Sequence, residues 1–210
     1  RDVSGIVEEV GKSVRKFKVG DKVYSRPNES FVGTMAEYVV TNDEDTALMP
    51  SNLNFDESAS IPLVGLTSYQ ALVDIAKLSK GESILIHAGS GGIGTFAIQL
   101  AKHLGAKVTT TTSTKNISFV KSLGADKVID YTSQNYLDEG AVFDVVYDTL
   151  GGNYTLDSFK VLKNGGRVVS IAGTVDSITA EQIGLNRFIR MILSFQARKV
   201  TKAAAKMNAM

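Results

Sequence analysis

The spacing of hydrophobic positions changes near residue 50. Before that point, apolar and β-branched residues form short runs, and Gly, Asn or Pro turns separate them at intervals of about ten residues. This pattern predicts strands of a small antiparallel barrel or sandwich. The predicted strands are SGIVEEV, DKVYS, MAEYVVT and TALMP.

After Pro50 the apolar residues follow helical spacing, and Pro62 is expected to divide the segment into two helices. The positions that carry this spacing are Leu66, Tyr69, Leu72, Val73 and Ala76. From Gly81 onward, buried strands alternate with helices; the predicted strands are SILIH, KVTTTT, KVID, FDVVYD and RVVSIAG. This order predicts an α/β fold with a doubly wound parallel sheet of the Rossmann type. We expect a partial β domain over residues 1–50, connecting helices over 51–80 and a dinucleotide-binding domain over 81–210.

Composition excludes several classes of partner. The chain has 210 residues, 43% of them hydrophobic and 21% charged, with a formal net charge of +1. With no dense basic block and no apolar run of membrane-spanning length, we expect neither a nucleic acid nor a membrane as partner. The absence of cysteine excludes disulfides and Cys-containing zinc sites, and it fits a cytoplasmic protein. The chain starts at Arg1 and ends within a helical pattern, so we expect a fragment of a longer protein, and a targeting peptide stays open.

A glycine-rich segment, HAGSGGIG at residues 87–94, is the main functional signal. Gly89, Gly91 and Gly94 form a G-x-G-x-x-G pattern, which a chain with 19 glycines could contain by chance. Here it follows a buried strand, opens an amphipathic helix and lies in a βαβ unit of roughly thirty residues. In such a loop the three glycines allow a tight turn, close approach of a pyrophosphate and packing of helix on strand, respectively. The context therefore favours a dinucleotide site over an ordinary glycine turn.

The end of the next strand bears on the choice of dinucleotide. TTTTSTK, residues 109–115, contains no acidic residue to bind a ribose 2′-hydroxyl. It offers Thr112, Ser113 and the cation Lys115, which favours the 2′-phosphate of NADP(H) over NAD(H). A threonine-rich strand beside a surface lysine is the alternative.

The chain resembles the zinc-independent quinone oxidoreductase branch, which includes zeta-crystallin, of the medium-chain dehydrogenase/reductase superfamily. The matching stretches lie within residues 2–173: DVSGIVEEVG, FKVGDKVY, MAEYVV, IPLVGLTSYQAL, GESILIHAGSGGIGTFAIQLAKHLGAKV, LGADKVIDY, DVVYDTLGG and LKNGGRVVSIAG. The resemblance implies part of a GroES-like β domain before the Rossmann domain, with the cofactor in the cleft between them. It also implies a homodimer that uses NADPH to reduce quinones or α,β-unsaturated carbonyls. Because part of the β domain would lie outside this chain, we expect residues 1–210 alone to be a poor catalyst.

The resemblance also implies, position by position, which residues contact the cofactor. They are Thr67 near the nicotinamide, Gly89, Ser90, Gly91, Gly92, Ile93 and Gly94 at the pyrophosphate, Thr112, Ser113, Lys115 and Tyr131 around the ribose phosphate, and Thr149 and Gly173 at later strand ends. An N-cap role for Thr67 and a core role for Tyr131 are the alternatives.

This sequence differs from the zinc alcohol dehydrogenases at a position where they bind the metal. Those enzymes have a ligand histidine where this chain has Arg1, so the resemblance implies no metal and disfavours a zinc-dependent alcohol dehydrogenase. His87 and His103 have no second ligand at suitable spacing and are expected to be structural. Tyr24 and Tyr69 are possible cleft residues but fit core positions better, so no catalytic residue is assigned. A mainly structural or regulatory NADPH-binding role stays open as a third reading.

Overall fold

The computed structural model describes residues 1–28, 33–173 and 184–206. These residues belong to two compact units, Arg1–Thr67 and Ser68–Met210. The predicted division of the chain into a β domain, connecting helices and a dinucleotide-binding domain, with boundaries at residues 50 and 80, stays a prediction.

The first unit contains a small antiparallel sheet. Its strands are β1 Val3–Ile6, β2 Lys22–Ser25 and β3 Thr46–Leu48, in that spatial order. The strand predicted for MAEYVVT is wrong. Residues 35–41 are not a strand, and Met35, Tyr38 and Val40 are exposed. No strand among the described residues pairs with this segment. An alternating pattern forms a strand only when a neighbouring strand provides partners for its backbone N–H and C=O groups.

Pro62 divides the helical segment as predicted. Helix α1 spans Phe55–Ala59 and begins with a capping box between Asn54 and Glu57. Helix α2 spans Pro62–Tyr69 and has Pro62 as its first residue, where its missing N–H costs nothing. A π-helical segment, Gln70–Ile75, follows directly.

The second unit is a parallel sheet covered on both faces, which confirms the predicted fold class. Its strands are β4 Ser83–Ile86, β5 Lys107–Thr112, β6 Lys127–Asp130, β7 Phe143–Asp148 and β8 Leu162–Ser170, in the order β6-β5-β4-β7-β8. Its helices are α3 Gly92–His103, α4 Ile117–Ser122, α5 Asn153–Ser158 and α6 Arg187–Lys206, with 3₁₀ turns at Thr114–Asn116 and Tyr136–Glu139.

Alternation along the strands builds two cores. Ile84 and Ile86 pack on one face of the sheet with residues of α3 and α4. Leu85 and Val146 belong to the cluster on the other face, against which residues of α6 pack. Because both faces are covered, β4 contains an apolar run at residues 84–86 and β7 contains one at residues 145–147, and such runs can be recognised in the sequence.

The strand order reverses between β4 and β7, which are direct neighbours. In open α/β sheets, ligands bind at the carboxyl ends of the strands at such a reversal. This end of the sheet is therefore where the predicted site residues have to be found. Among the described residues, no helix combines the length and the apolar character needed to cross a membrane.

Candidate cofactor site

The glycine loop leaves β4 and turns tightly into α3. At Gly89 a Cβ atom would lie 2.0 Å from the Thr110 hydroxyl, and at Gly94 it would lie 2.4 Å from the carbonyl oxygen of Ala88. Ala88 itself has a positive φ of 52°. Side chains of Thr110 and Ile98 at Gly89, and backbone atoms at Gly94, leave neither glycine room for a Cβ.

The amino end of α3 lies open at this loop. Gly91 is the N-cap, and no side chain caps the helix. The first intrahelical bond joins the Thr95 N–H to the Gly91 carbonyl at 2.9 Å, so the N–H groups of Gly92, Ile93 and Gly94 precede it. These donors and the positive end of the helix dipole form a binding site for an anion. A pyrophosphate fits this arrangement of donors.

Side chains from β5 and the turn after it hold the loop. Thr112 donates a hydrogen bond of 2.9 Å to the hydroxyl oxygen of Ser90, which also accepts one of 3.1 Å from the Asn116 amide. The same amide donates to the Ser113 hydroxyl at 3.3 Å. The sequence assigns Ser90, Thr112 and Ser113 to one site, and these hydrogen bonds bring them together. The residue that links them is Asn116, which the sequence does not assign to the site.

Lys115 lies exposed on the 3₁₀ turn that follows β5, so its ammonium group remains accessible to a ligand. A carboxylate lies close to this turn: Asp130, at the end of β6, accepts a hydrogen bond of 2.5 Å from the Thr114 hydroxyl. Hydrogen bonds from Thr114 and Thr132 lower the pKa of Asp130 and keep it ionised. The sequence shows no acid in residues 109–115, but the fold brings this one from the neighbouring strand.

The end of β7 reaches the same edge of the sheet. The hydroxyl of Thr149 donates to the carbonyl oxygen of His87 at 2.9 Å and so joins the two strands that flank the reversal. Asp148 is fully buried and accepts from the N–H groups of Leu150 and Gly151, both at 2.9 Å. Burial acts to raise the pKa of Asp148, but the hydrogen bonds outweigh it and the pKa is lowered.

The same carboxylate also binds the last residue of β8 and a residue of α5. Ser170 donates to Asp148 at 2.8 Å and Thr155 donates at 2.5 Å. Gly151 lies so close to this loop that a Cβ would be 2.3 Å from the Ala172 carbonyl oxygen. Asp148 thus fixes the two loops that carry Thr149 and Gly173.

His87, which is expected to be structural, is fully buried beside the glycine loop. Its ring makes edge contacts with Tyr136 and Tyr154, with centroids 4.7 and 5.5 Å away, and its nitrogens lie 3.5 Å from the Thr111 hydroxyl and 3.4 Å from that of Ser158. Burial lowers the pKa of His87 to about 4, against the raising effect of the Asp148 charge. The imidazole is therefore neutral at neutral pH. The other histidine, His103, is exposed at the end of α3.

The other predicted positions are more dispersed. Thr67 lies in the last turn of α2, so the alternative of an N-cap is wrong. Tyr131 follows β6 and is 61% exposed, which excludes a core role, and Tyr69 is 52% exposed, so its expected core placement is wrong as well. Tyr24 lies half-buried in β2. Contact of Thr67 or Tyr131 with a cofactor stays a prediction.

Two residues that organise the site were missed. The sequence assigns Asn116 no role in the site and predicts Asp148 only as the end of the strand FDVVYD. The signal for Asp148 was available, because a carboxylate in a fully buried strand must find donors, and two glycines follow it closely. Nothing in the sequence marks Asn116, since its partners lie up to 26 positions away.

Among residues 1–28, 33–173 and 184–206, no group of three or more His, Cys, Asp or Glu side chains is placed to hold a metal ion.

Two family models match this chain. That of the alcohol dehydrogenase GroES-like domain matches residues 1–51, and that of the zinc-binding dehydrogenases matches residues 92–206. The second match covers more than half of the chain.

Individual relatives are similar over most of the chain. It is 43% identical to the 2-methylene-furan-3-one reductase of Solanum lycopersicum and 41% identical to the chloroplastic NADPH-dependent alkenal/one oxidoreductase of Arabidopsis thaliana. Each match covers 83% of this chain and 46% of the relative, so the chain spans about half the length of these proteins. The solved quinone oxidoreductase of Coxiella burnetii superposes with a TM-score of 0.76 at 36% identity, over 93% of this chain and 58% of that one.

Proposed function

Because the chain belongs to the medium-chain dehydrogenase/reductase superfamily, in its branch of quinone oxidoreductases and alkenal reductases, we propose that it binds NADPH in a reductase of conjugated carbonyls. The acceptors would be quinones or α,β-unsaturated carbonyl compounds. The protein would transfer a hydride to them without zinc.

The open amino end of α3 is the observation that carries this proposal. Three successive N–H groups precede the first intrahelical bond, at the strand reversal where an α/β sheet binds ligands. Gly89 and Gly94 have no room for a Cβ in this tight loop, and Gly91 would leave its backbone open to a pyrophosphate. Gly92, Ile93 and Gly94 would hold the pyrophosphate, with Ser113 and Lys115 at the 2′-phosphate and Thr149 nearer the nicotinamide.

The protein's contribution would be to bind, to orient and to exclude water. Bound NADPH supplies a hydride, and the acceptor's carbonyl oxygen draws electron density from the carbon that receives it. Such an acceptor is already polarised and does not require a Lewis acid. Arg1 at the position of a zinc ligand, and the absence of cysteine, agree with chemistry of this kind.

The names of the two plant relatives support the acceptor class. One specifies a 2-methylene-furan-3-one and the other an alkenal or alkenone. A carbonyl conjugated to a carbon–carbon double bond is common to both. We further propose that the protein is a homodimer, which light scattering would measure.

The experiment is NADPH oxidation by the intact protein with three groups of acceptors: quinones, enals or enones, and their saturated counterparts. We expect turnover with quinones or enones, none with saturated ketones, and no effect of a chelator. Turnover of saturated carbonyls or alcohols that the chelator abolishes would instead indicate a zinc-dependent alcohol dehydrogenase. NADPH binding in a titration without turnover of any acceptor would favour the structural or regulatory role.

A further inference from the structure

The outward face of α6 carries an apolar patch. Phe188, Met191, Ile192 and Phe195 are spaced i, i+3, i+4 and i+7, so they form one stripe along the helix. All four are exposed, the two phenylalanines at 67% each. This stripe lies opposite the side of α6 on which Val200, Ala203 and Ala204 pack against the core. The phenylalanines are therefore exposed because the helix is fixed by its other face.

The stripe continues with cations toward the carboxyl end of the helix. Lys199, Lys202 and Lys206 follow Phe195 at four, seven and eleven positions, and all three are exposed. Arg198 lies over the Phe195 ring, 4.7 Å from its centroid. We call the four apolar residues, Arg198 and the three lysines the α6 stripe.

Helix α6 itself contains no acidic residue to balance these charges. Residues 182–210 contain six basic residues and no acidic one. None of the ion pairs found in the described part of the chain involves Lys199, Lys202 or Lys206. A surface of this kind complements a partner that is anionic and apolar at once.

We infer that the α6 stripe docks on the surface of an anionic lipid bilayer. Helices of this kind lie in the plane of the interface, with aromatic and aliphatic side chains buried ~5–10 Å deep and cations at the headgroups. A second copy that docked through this same helix would cover the phenylalanines, but it would bring a second set of cations and no acid from the helix itself. The average charge and the lack of a long apolar run predict no membrane partner, but they do not describe how charge and apolar area are arranged on one face.

The first test is flotation of the intact chain with vesicles of phosphatidylcholine, with and without about one third phosphatidylserine. We expect binding only to the anionic vesicles, and its loss at high salt. Lys199→Glu with Lys202→Glu should lower the partition coefficient by roughly tenfold or more. Lys16→Glu with Lys107→Glu makes the same change of net charge at exposed residues elsewhere and should leave most of the binding intact.

The second test does not depend on a disruptive substitution. This chain contains no tryptophan, so Phe195→Trp supplies a single reporter, and tryptophan is favoured at membrane interfaces. We expect its emission to shift to shorter wavelength with anionic vesicles and to stay unchanged with neutral ones. The inference is overturned if no vesicle shifts the emission, if both lysine pairs weaken flotation equally, or if Phe188→Ser with Phe195→Ser turns an oligomer into a monomer, since a second copy then covers the face.

Discussion

The Thr112 hydroxyl, at the end of β5, donates a 2.9 Å hydrogen bond to the Ser90 hydroxyl in the glycine loop. Thr112 is only 1% exposed, so this bond forms beneath the surface of the site and not on it. Because the Ser90 oxygen also accepts from Asn116, its own hydrogen is left to donate to another group. We expect that group to be a phosphate oxygen of the cofactor.

Thr112→Val should therefore weaken NADPH and NADH alike. The substitution removes the donor that orients Ser90, and the pyrophosphate is common to both cofactors. We expect the affinity for each cofactor to fall about three- to tenfold. The free energy of unfolding should fall by about 1 kcal/mol. Fluorescence titration with both cofactors measures the first and urea unfolding the second. Thr109→Val, in the same strand but with no bond to the loop, should leave both affinities unchanged.

The parts of this site that follow local rules could be predicted, and those that depend on register could not. The glycine loop was recognisable because Gly89, Gly91 and Gly94 stand between a buried strand and an amphipathic helix. Asn116 reaches Ser90 across 26 positions, and Ser170 reaches Asp148 across 22, because neighbouring parallel strands end at the same edge. Which strands are neighbours, and in what register, is a property of the whole sheet.

The false strand at residues 35–41 has the same kind of cause. Its alternating residues have the local preference of a strand, but the described residues provide no partner for it. Likewise, the helical spacing that includes Tyr69 and Leu72 predicted one buried face, whereas Leu72 is buried and Tyr69 is exposed. A helical pattern gives the direction of a face but not how far the neighbouring elements extend over it.

Two glycine substitutions should separate folding from binding. At Gly94, alanine would gain about 1 kcal/mol of helix propensity, but its Cβ would overlap the Ala88 carbonyl oxygen at 2.4 Å and the Gly89 Cα at 2.7 Å. Overpacking of this kind typically costs about 1–3 kcal/mol, and here the obstacle is backbone. Gly94→Ala should thus lower both the free energy of unfolding and the affinity for NADPH.

At Gly91 the situation differs, because φ is −78° and a Cβ would lie 3.3 Å from the nearest atom. Gly91→Ala should keep the free energy of unfolding within about 1 kcal/mol of the parent protein, since the changes are an N-cap preference and one close contact with the Ala88 carbonyl oxygen. It should nevertheless bind NADPH at least tenfold more weakly, because the Cβ occupies the approach of the pyrophosphate. Unchanged affinity in Gly91→Ala would show that the pyrophosphate does not bind at this glycine.

Buried His87 predicts a loss of stability in mild acid. The unfolded chain takes up a proton near the ordinary pKa of 6.5, whereas the folded protein does so only at about 4. Stability from this group is thus fully present above pH 6.5 and is lost progressively as pH falls toward 4. By pH 5 the loss should be about 2 kcal/mol, at 1.36 kcal/mol per pKa unit.

The measurement is the free energy of unfolding between pH 5 and 6.5, where few carboxylates titrate. His87→Gln should flatten this slope even if it destabilises the protein overall, because glutamine takes up no proton. His103→Gln, at an exposed position, should leave the slope as it is. Equal slopes in the parent and His87→Gln proteins would mean that His87 is not buried as a neutral group.

Lys115 should determine the preference for NADPH over NADH. Its ammonium group is exposed beside Ser113 and would meet the 2′-phosphate, which NADH lacks. The Asp130 carboxylate near this turn opposes the phosphate, but hydrogen bonds from Thr114 and Thr132 occupy its oxygens and spread its charge. Screening by solvent limits the contribution of an exposed lysine, so we expect Lys115→Ala to weaken NADPH by about tenfold. NADH affinity should hardly change, and comparing two cofactors on one variant cancels any general loss of stability.

Lys121→Ala, at an exposed position in α4, should change neither affinity. If Lys115→Ala weakens both cofactors equally, or if the parent protein binds NADH as tightly as NADPH, residues 109–115 do not form a phosphate site.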